Sequence, residues 1–233
     1  GVFHIAHGAV YVIGAYALHL LLAGMGWPLP LCLVVAPLVA AAAGVSMEFL
    51  VYQPLARKQA SSAVVMISSL GVYIVVVNLI AMFCGNETRA LRLGTEAPVS
   101  LGLGGVVLAR AQVGQLVGAV LVVGLYWGFL QCTSLGRTCR SVADDPMLAA
   151  VLGVNVEGVR IVVFAVGSLL AAAGACLVAL DVGVDPNVGF SIVLVAAVAC
   201  IVGGLHRFMA PALGGVLLVL GGVCTLLALA QLW

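Results

Sequence analysis

The side chains that could do chemistry here are few and lie among apolar residues. Early in the chain they are His4, His7, Tyr11, His19, Glu48, Ser68, Ser69 and Asn78. Polar groups are costly in a bilayer and turn to a bundle interior or a water path. His7-Gly8 stands beside a glycine-containing apolar run, where a helix start could offer backbone N–H groups to a carboxylate. His4, His7, Gly8, Tyr11, Ser68, Ser69 and Asn78 are therefore the candidates to line a polar path through the bundle. Each also has a plainer reading. His4, His7 and Asn78 can bond to neighbouring helices, and the two serines can bond back to their own helix. Glu48, near Tyr52 and Arg57, reads as half of an interfacial ion pair.

A second stretch runs from Gly136 to Asn155. It opens basic at Arg137 and Arg140, turns acidic at Asp144 and Asp145, and then reads as a short helix. Either aspartate can cap that helix, with Pro146 at its first position. Gly153 suits a left-handed C-terminal cap. Met147, Ala150 and Val151 share a face, which predicts either a docking element or a solvated loop with an incidental helix. A third stretch holds Asp181, Asp185 and Asn187, candidates for meeting a partner protein or only solvent. The seven cysteines are scattered without metal-ligand spacing, so they read as small hydrophobes. No Gly-x-x-x-x-Gly-Lys-Ser/Thr phosphate loop is present.

These groups need apolar elements to hold them. Of the 233 residues 64% are apolar and 7% charged. Ordinary globular domains carry about 25% charged residues. Mean hydropathy is +1.30, which excludes disorder through low hydrophobicity. A net charge of +1 gives no reason to expect a nucleic-acid partner. A bilayer core of about 30 Å needs about 20 apolar helical residues. Such runs fall near 5–24, 29–51, 62–84, 113–134, 161–180, 190–206 and 211–232. The expected fold is all-α: a polytopic transmembrane helical bundle with about seven spans. It forms one domain over residues 1–233, and the apolar ends suggest missing flanking helices. The runs do not alternate, so a β-barrel does not fit.

The breaks between runs give a direction. Gly24 to Pro28 reads as a turn, Tyr52 to Lys58 as a short basic loop, and Asn86 to Gln115 as a longer one. With alternating sides, Arg57, Lys58, Arg137, Arg140, Arg160 and Arg207 share one side. Arg89, Arg92 and Arg110 take the other. The positive-inside rule makes the first side cytoplasmic. Asp181 and Asp185 then face outward. Small residues at Ala40 to Gly44 and Ala171 to Ala175 predict close helix packing.

Arg137, Arg140, Asp145, Ala149, Leu152, Gly153 and Asn155 stand in an order that resembles the permease subunits of branched-chain amino-acid ABC importers. So do Ile5-Ala6-His7-Gly8 with Gly14-Ala15-Tyr16, Pro186 with Gly189-Phe190, and Val202-Gly203-Gly204. Two positions depart: His4 stands where the family usually has Asn, and Gly203-Gly204-Leu205 runs into His206-Arg207. The resemblance implies an inner-membrane, multi-pass permease that takes ATPase coupling through Arg137, Arg140, Asp144, Asp145, Ala149, Leu152, Gly153 and Asn155. It implies a second permease subunit, cytoplasmic ATP-binding subunits and an extracytoplasmic binding protein that meets Asp181, Asp185 and Asn187. No cofactor is expected in this chain, because ATP and Mg would be bound by the partner ATPase. An ion-coupled secondary carrier is the alternative, as is the same importer class carrying urea or short amides.

Overall fold

The computed structural model describes residues 4–91, 99–100, 107–108, 110–204 and 213–216. Helix α1 spans His7–His19 and continues as a π-helical turn over Leu20–Gly24. Helix α2 spans Leu29–Met47, passes through a second π turn at Glu48–Tyr52 and runs on as α3, Gln53–Arg57. Then come α4 (Ser62–Cys84), α5 (Arg110–Cys132), α6 (Ser134–Asp144), α7 (Pro146–Val151), α8 (Val156–Val182) and α9 (Val188–Gly203). Between α4 and α5, β1 (Val99–Ser100) pairs antiparallel with β2 (Val107–Leu108).

Five of these helices are long and apolar enough to cross a bilayer: His7–Gly24, Leu29–Arg57, Ser62–Cys84, Gln112–Cys132 and Val156–Val182. They match five of the expected runs. Two boundaries differ. The expected basic loop from Tyr52 to Lys58 is helical as far as Arg57, and the α8 span starts at Val156 rather than near 161. Helical N–H and C=O groups satisfy one another, so extending a helix towards the interface costs less than opening a loop there. Val188–Gly203 is a shorter apolar helix. The seventh expected run, 211–232, lies almost wholly outside the described residues, as do Arg92, His206 and Arg207.

The chain divides into two compact units, residues 1–189 and 190–233. The core of the first is built by α1, α2 and α8, which pack on one another most closely. Small residues make that approach possible. A Cβ on Gly14 would stand 2.7 Å from the Cβ of Ala172, and one on Gly44 would collide with the Ser168 hydroxyl. Ala36, Ala40, Ala172, Ala175 and Cys176 line the same seams and are buried. In lipid, such close contact replaces the hydrophobic drive that packs helices in water. The outer faces of α4 and α5 stay apolar and exposed, for example at Ile67, Phe83, Leu116 and Leu125.

Candidate functional site

Two regions bring the predicted residues together. The first lies where α1 begins. Its ring cluster joins His4, His7, Tyr52 and Phe164. The His4 ring stands 4.7 Å from Tyr52 and 5.5 Å from Phe164, centroid to centroid. Phe164 in turn lies 4.8 Å from His7 and 5.3 Å from Tyr52. The edge-on and tilted arrangements suit aromatic quadrupoles. Ser69 closes the cluster from α4: its hydroxyl accepts from the Ile5 N–H at 3.2 Å and donates to the Met66 carbonyl at 2.7 Å. That back-bond reaches three residues along the helix, and a second helix end shares the same hydroxyl. Nδ1 of His4 is buried without a hydrogen-bond partner among the described residues. Burial first, and the Arg160 charge second, hold the His4 imidazole below the usual histidine range.

The other candidates take different places. Tyr11 is buried on α1 beyond His7, and Gly8 supplies a carbonyl so close to Gly189 that a Cβ there would stand 2.6 Å away. Ser68 is half-buried on α4. Asn78 is exposed, and its amide donates to the Ile74 carbonyl of its own helix at 2.7 Å, not across helices. Glu48 does not pair with Arg57. It is buried, 1% exposed, and accepts from Nε of Arg160. Arg57 meets Glu157 at 3.4 Å, and Gln53 reaches the same carboxylate. Tyr52 and Phe164 were missed as site residues because they look like ordinary aromatic residues in apolar runs. Only the crossing of α2 and α8 places them against the histidines.

The second region is the 134–155 segment. The basic half expected as a polar connection is a helix, α6. Thr133 caps it, its hydroxyl accepting from the Gly136 N–H at 2.9 Å. Cys139 is buried, and burial pushes its thiol up. Arg140 donates to Gln131 at 2.7 Å, while Arg137 and Asp144 are exposed. Asp145 caps α7, accepting from the N–H groups of Met147 at 2.9 Å and Leu148 at 3.0 Å. Pro146 follows at the first helical position, where its missing N–H costs nothing. Gly153 ends the helix at φ +85°, a conformation glycine adopts freely. Asn155 then caps α8 through the Gly158 N–H at 3.0 Å. Ala149 faces inward, while Met147, Leu148, Val151 and Leu152 are exposed by 78, 57, 79 and 76%. Four large apolar side chains thus stand together on a short, doubly capped element.

On the opposite face, Asp185 and Asn187 are engaged within the chain. Asp185 accepts from Thr88 at 3.0 Å and from the Asn187 N–H at 2.7 Å. Asn187 donates to Asn86 at 3.0 Å, and Arg89 bridges Val184 in an antiparallel backbone pair. Asp181 and Asn187 are exposed and Asp185 is half-buried, and of the two exposed side chains Asn187 is the one engaged within the chain. Among the described residues no three His, Cys, Asp or Glu side chains are grouped to hold a metal ion.

Comparison with known proteins adds an independent line. A family model described as the permease component of branched-chain amino acid transport systems matches residues 1–231. The high-affinity branched-chain amino acid transport permease BraD of Pseudomonas aeruginosa is 32% identical over 94% of this chain and 74% of its own length. The LivH permease of Escherichia coli K12 is 27% identical, again over 94% of this chain and 74% of its own. A probable LivH permease of Methanocaldococcus jannaschii is 27% identical over 90% of this chain and 67% of its own. No solved structure matches. Joined to the five spanning helices, these matches place the chain: it belongs to the family of branched-chain amino acid transport permeases, as a multi-pass protein of the inner membrane.

Proposed function

We propose that this chain is one of two permease subunits of an ATP-driven importer that carries branched-chain amino acids into the cytoplasm. The observation that carries the proposal is α7. Met147, Leu148, Val151 and Leu152 expose a continuous apolar surface on the side that the loop charges make cytoplasmic. Such a patch on a capped, rigid element fits a groove in a partner. The partner is a cytoplasmic ATPase subunit, which binds ATP and Mg. Arg137 and Asp144, exposed on α6 beside that patch, add charged contacts at its rim. An extracytoplasmic binding protein delivers the substrate, with Asp181 as an exposed contact in this chain. The His4, His7, Tyr52, Phe164 and Ser69 cluster is the part of the path this chain supplies. Its rings fit an aliphatic side chain and its hydroxyl and imidazoles fit the polar end of an amino acid.

Pull-down of the ATPase subunit and its stimulation test the docking. Charge reversal at Arg137 together with deletion of 147–151 is expected to abolish stimulation. Stimulation that survives both changes overturns the assignment. Uptake of labelled leucine, set against urea and acetamide, tests the substrate: leucine is expected to accumulate and the amides are not. Leucine uptake without ATP would instead favour an ion-coupled carrier.

A further inference from the structure

Glu48 and Arg160 form a pair that the transport reading above leaves without a role. Glu48 lies in the π-helical turn 48–52, is 1% exposed and accepts from Arg160. π turns interrupt the helical ladder and recur at functional sites. A second pair, Arg57 with Glu157 at 3.4 Å, links the same two helices but is 64% and 55% exposed. The two differ in what breaking them costs. The exposed pair can part into water, whereas Glu48 would be left as an unpaired buried charge.

The buried pair sits directly beneath the ring cluster. Arg160 and Phe164 are four residues apart on α8 and so share a face. Glu48 and Tyr52 stand one turn apart on the facing helix. Arg160 holds Glu48, and Phe164 packs 5.3 Å from Tyr52, so ion pair and rings are successive layers of one contact. Below them, α8 follows α7 after only residues 152–155, and Asn155 stiffens the join by capping α8. A displacement of α7 therefore meets Arg160 within the first two turns of α8.

We propose that the Glu48–Arg160 pair is a latch: it ties the cytoplasmic ends of α2 and α8 together, and movement of α7 breaks it to open the path at the ring cluster. The proposal rests on α7 being the ATPase docking element. Glu48 and Arg160 are positioning residues in this scheme and do not touch substrate. The high cost of an unpaired buried charge gives the contact two arrangements, closed or opened to water, without stable intermediates.

The test uses the complete transporter in liposomes, with ATPase and binding protein present. Two quantities are read: leucine taken up per ATP hydrolysed, and ATP hydrolysis without binding protein. Glu48→Gln is expected to lower uptake per ATP about tenfold, within the usual range of coupling between sites, while hydrolysis without binding protein rises. Glu48→Gln/Arg160→Gln, which leaves no buried charge unpaired, is expected to assemble normally and show the same uncoupling. Arg57→Ala is expected to behave as wild type. A double variant with wild-type uptake per ATP overturns the latch, and so does one that fails to assemble, since the pair would then serve folding alone. If wild type neither binds nor stimulates the ATPase, the docking reading has failed, and the latch loses its trigger with it.

Discussion

Residues in this chain gain meaning from who faces them. Glu48 is the clearest case, because its partner lies 112 positions away in sequence. Removing one side of a buried pair typically costs about 3–5 kcal/mol, and the partial exposure of Arg160 puts Glu48→Ala near the lower end. Arg57→Ala breaks only the exposed pair, where about 0–1 kcal/mol is usual. Thermal unfolding in detergent should therefore separate the two variants clearly, with Glu48→Ala melting lower. His4 makes a pH prediction. Its folded pKa lies below the ordinary histidine value of about 6.5 through burial and the Arg160 charge. The unfolded chain then binds the proton more readily. The stability that the neutral imidazole permits is complete above about pH 6.5 and is lost as pH falls from there towards the folded value. Melting temperature should drop between pH 7 and pH 5, and His4→Asn should flatten that drop. An unchanged slope in His4→Asn would assign it to other groups.

At the scale of elements, caps and close contacts decide. Helix α7 has only six residues, too few to persist alone in water. It depends on Asp145 at one end and Gly153 at the other. Asp145→Ala should cost about 0.5–2 kcal/mol of local stability and weaken ATPase capture, while Asp145→Asn, which can still cap, should retain it. Equal capture by both variants would show that the cap is dispensable. In the bundle, Gly44 and Gly71 provide a matched pair. A Cβ at Gly44 collides with Ser168, whereas one at Gly71 on α4 meets nothing within 4 Å. Overpacking typically costs about 1–3 kcal/mol, so Gly44→Ala should lower the detergent melting temperature and Gly71→Ala should leave it unchanged or raise it. The sequence pattern made the α7 caps legible, because aspartate, proline and glycine have local reasons to stand where they do. It did not reveal α6, whose polar residues read as a connection although Gly136 and Cys139 are buried.

For the whole molecule, direction across the bilayer links the two candidate regions to the proposed partners. The positive-inside rule predicts α7 inside and Asp181 outside. Alkaline phosphatase fused after Asp181 should be active in cells, and fused after Ser141 inactive. The reverse pattern would place the α7 surface on the wrong face for an ATPase. The outward turn also has its own order: Asn86, Thr88 and Arg89 bind the 184–187 segment. Asp185 and Asn187 therefore hold the protein's own backbone in place, and Asp181 is left to the surroundings.

Composition and hydropathy alone determined that this chain is a membrane helical bundle and where five of its spans lie. Those properties follow from the cost of backbone and charge in hydrocarbon, which acts on each segment separately. The α7 caps were equally local. The partners of Glu48 and Arg57, the joining of Tyr52 and Phe164 to the histidines, and the turning of Asn78 to its own helix were settled only by tertiary packing. Each depends on which faces of α1, α2, α4 and α8 meet. Runs that are apolar all round carry no stripe to announce those faces. In their place, small residues such as Gly14 and Gly44, set against Ala172 and Ser168, fix how closely and where the helices cross.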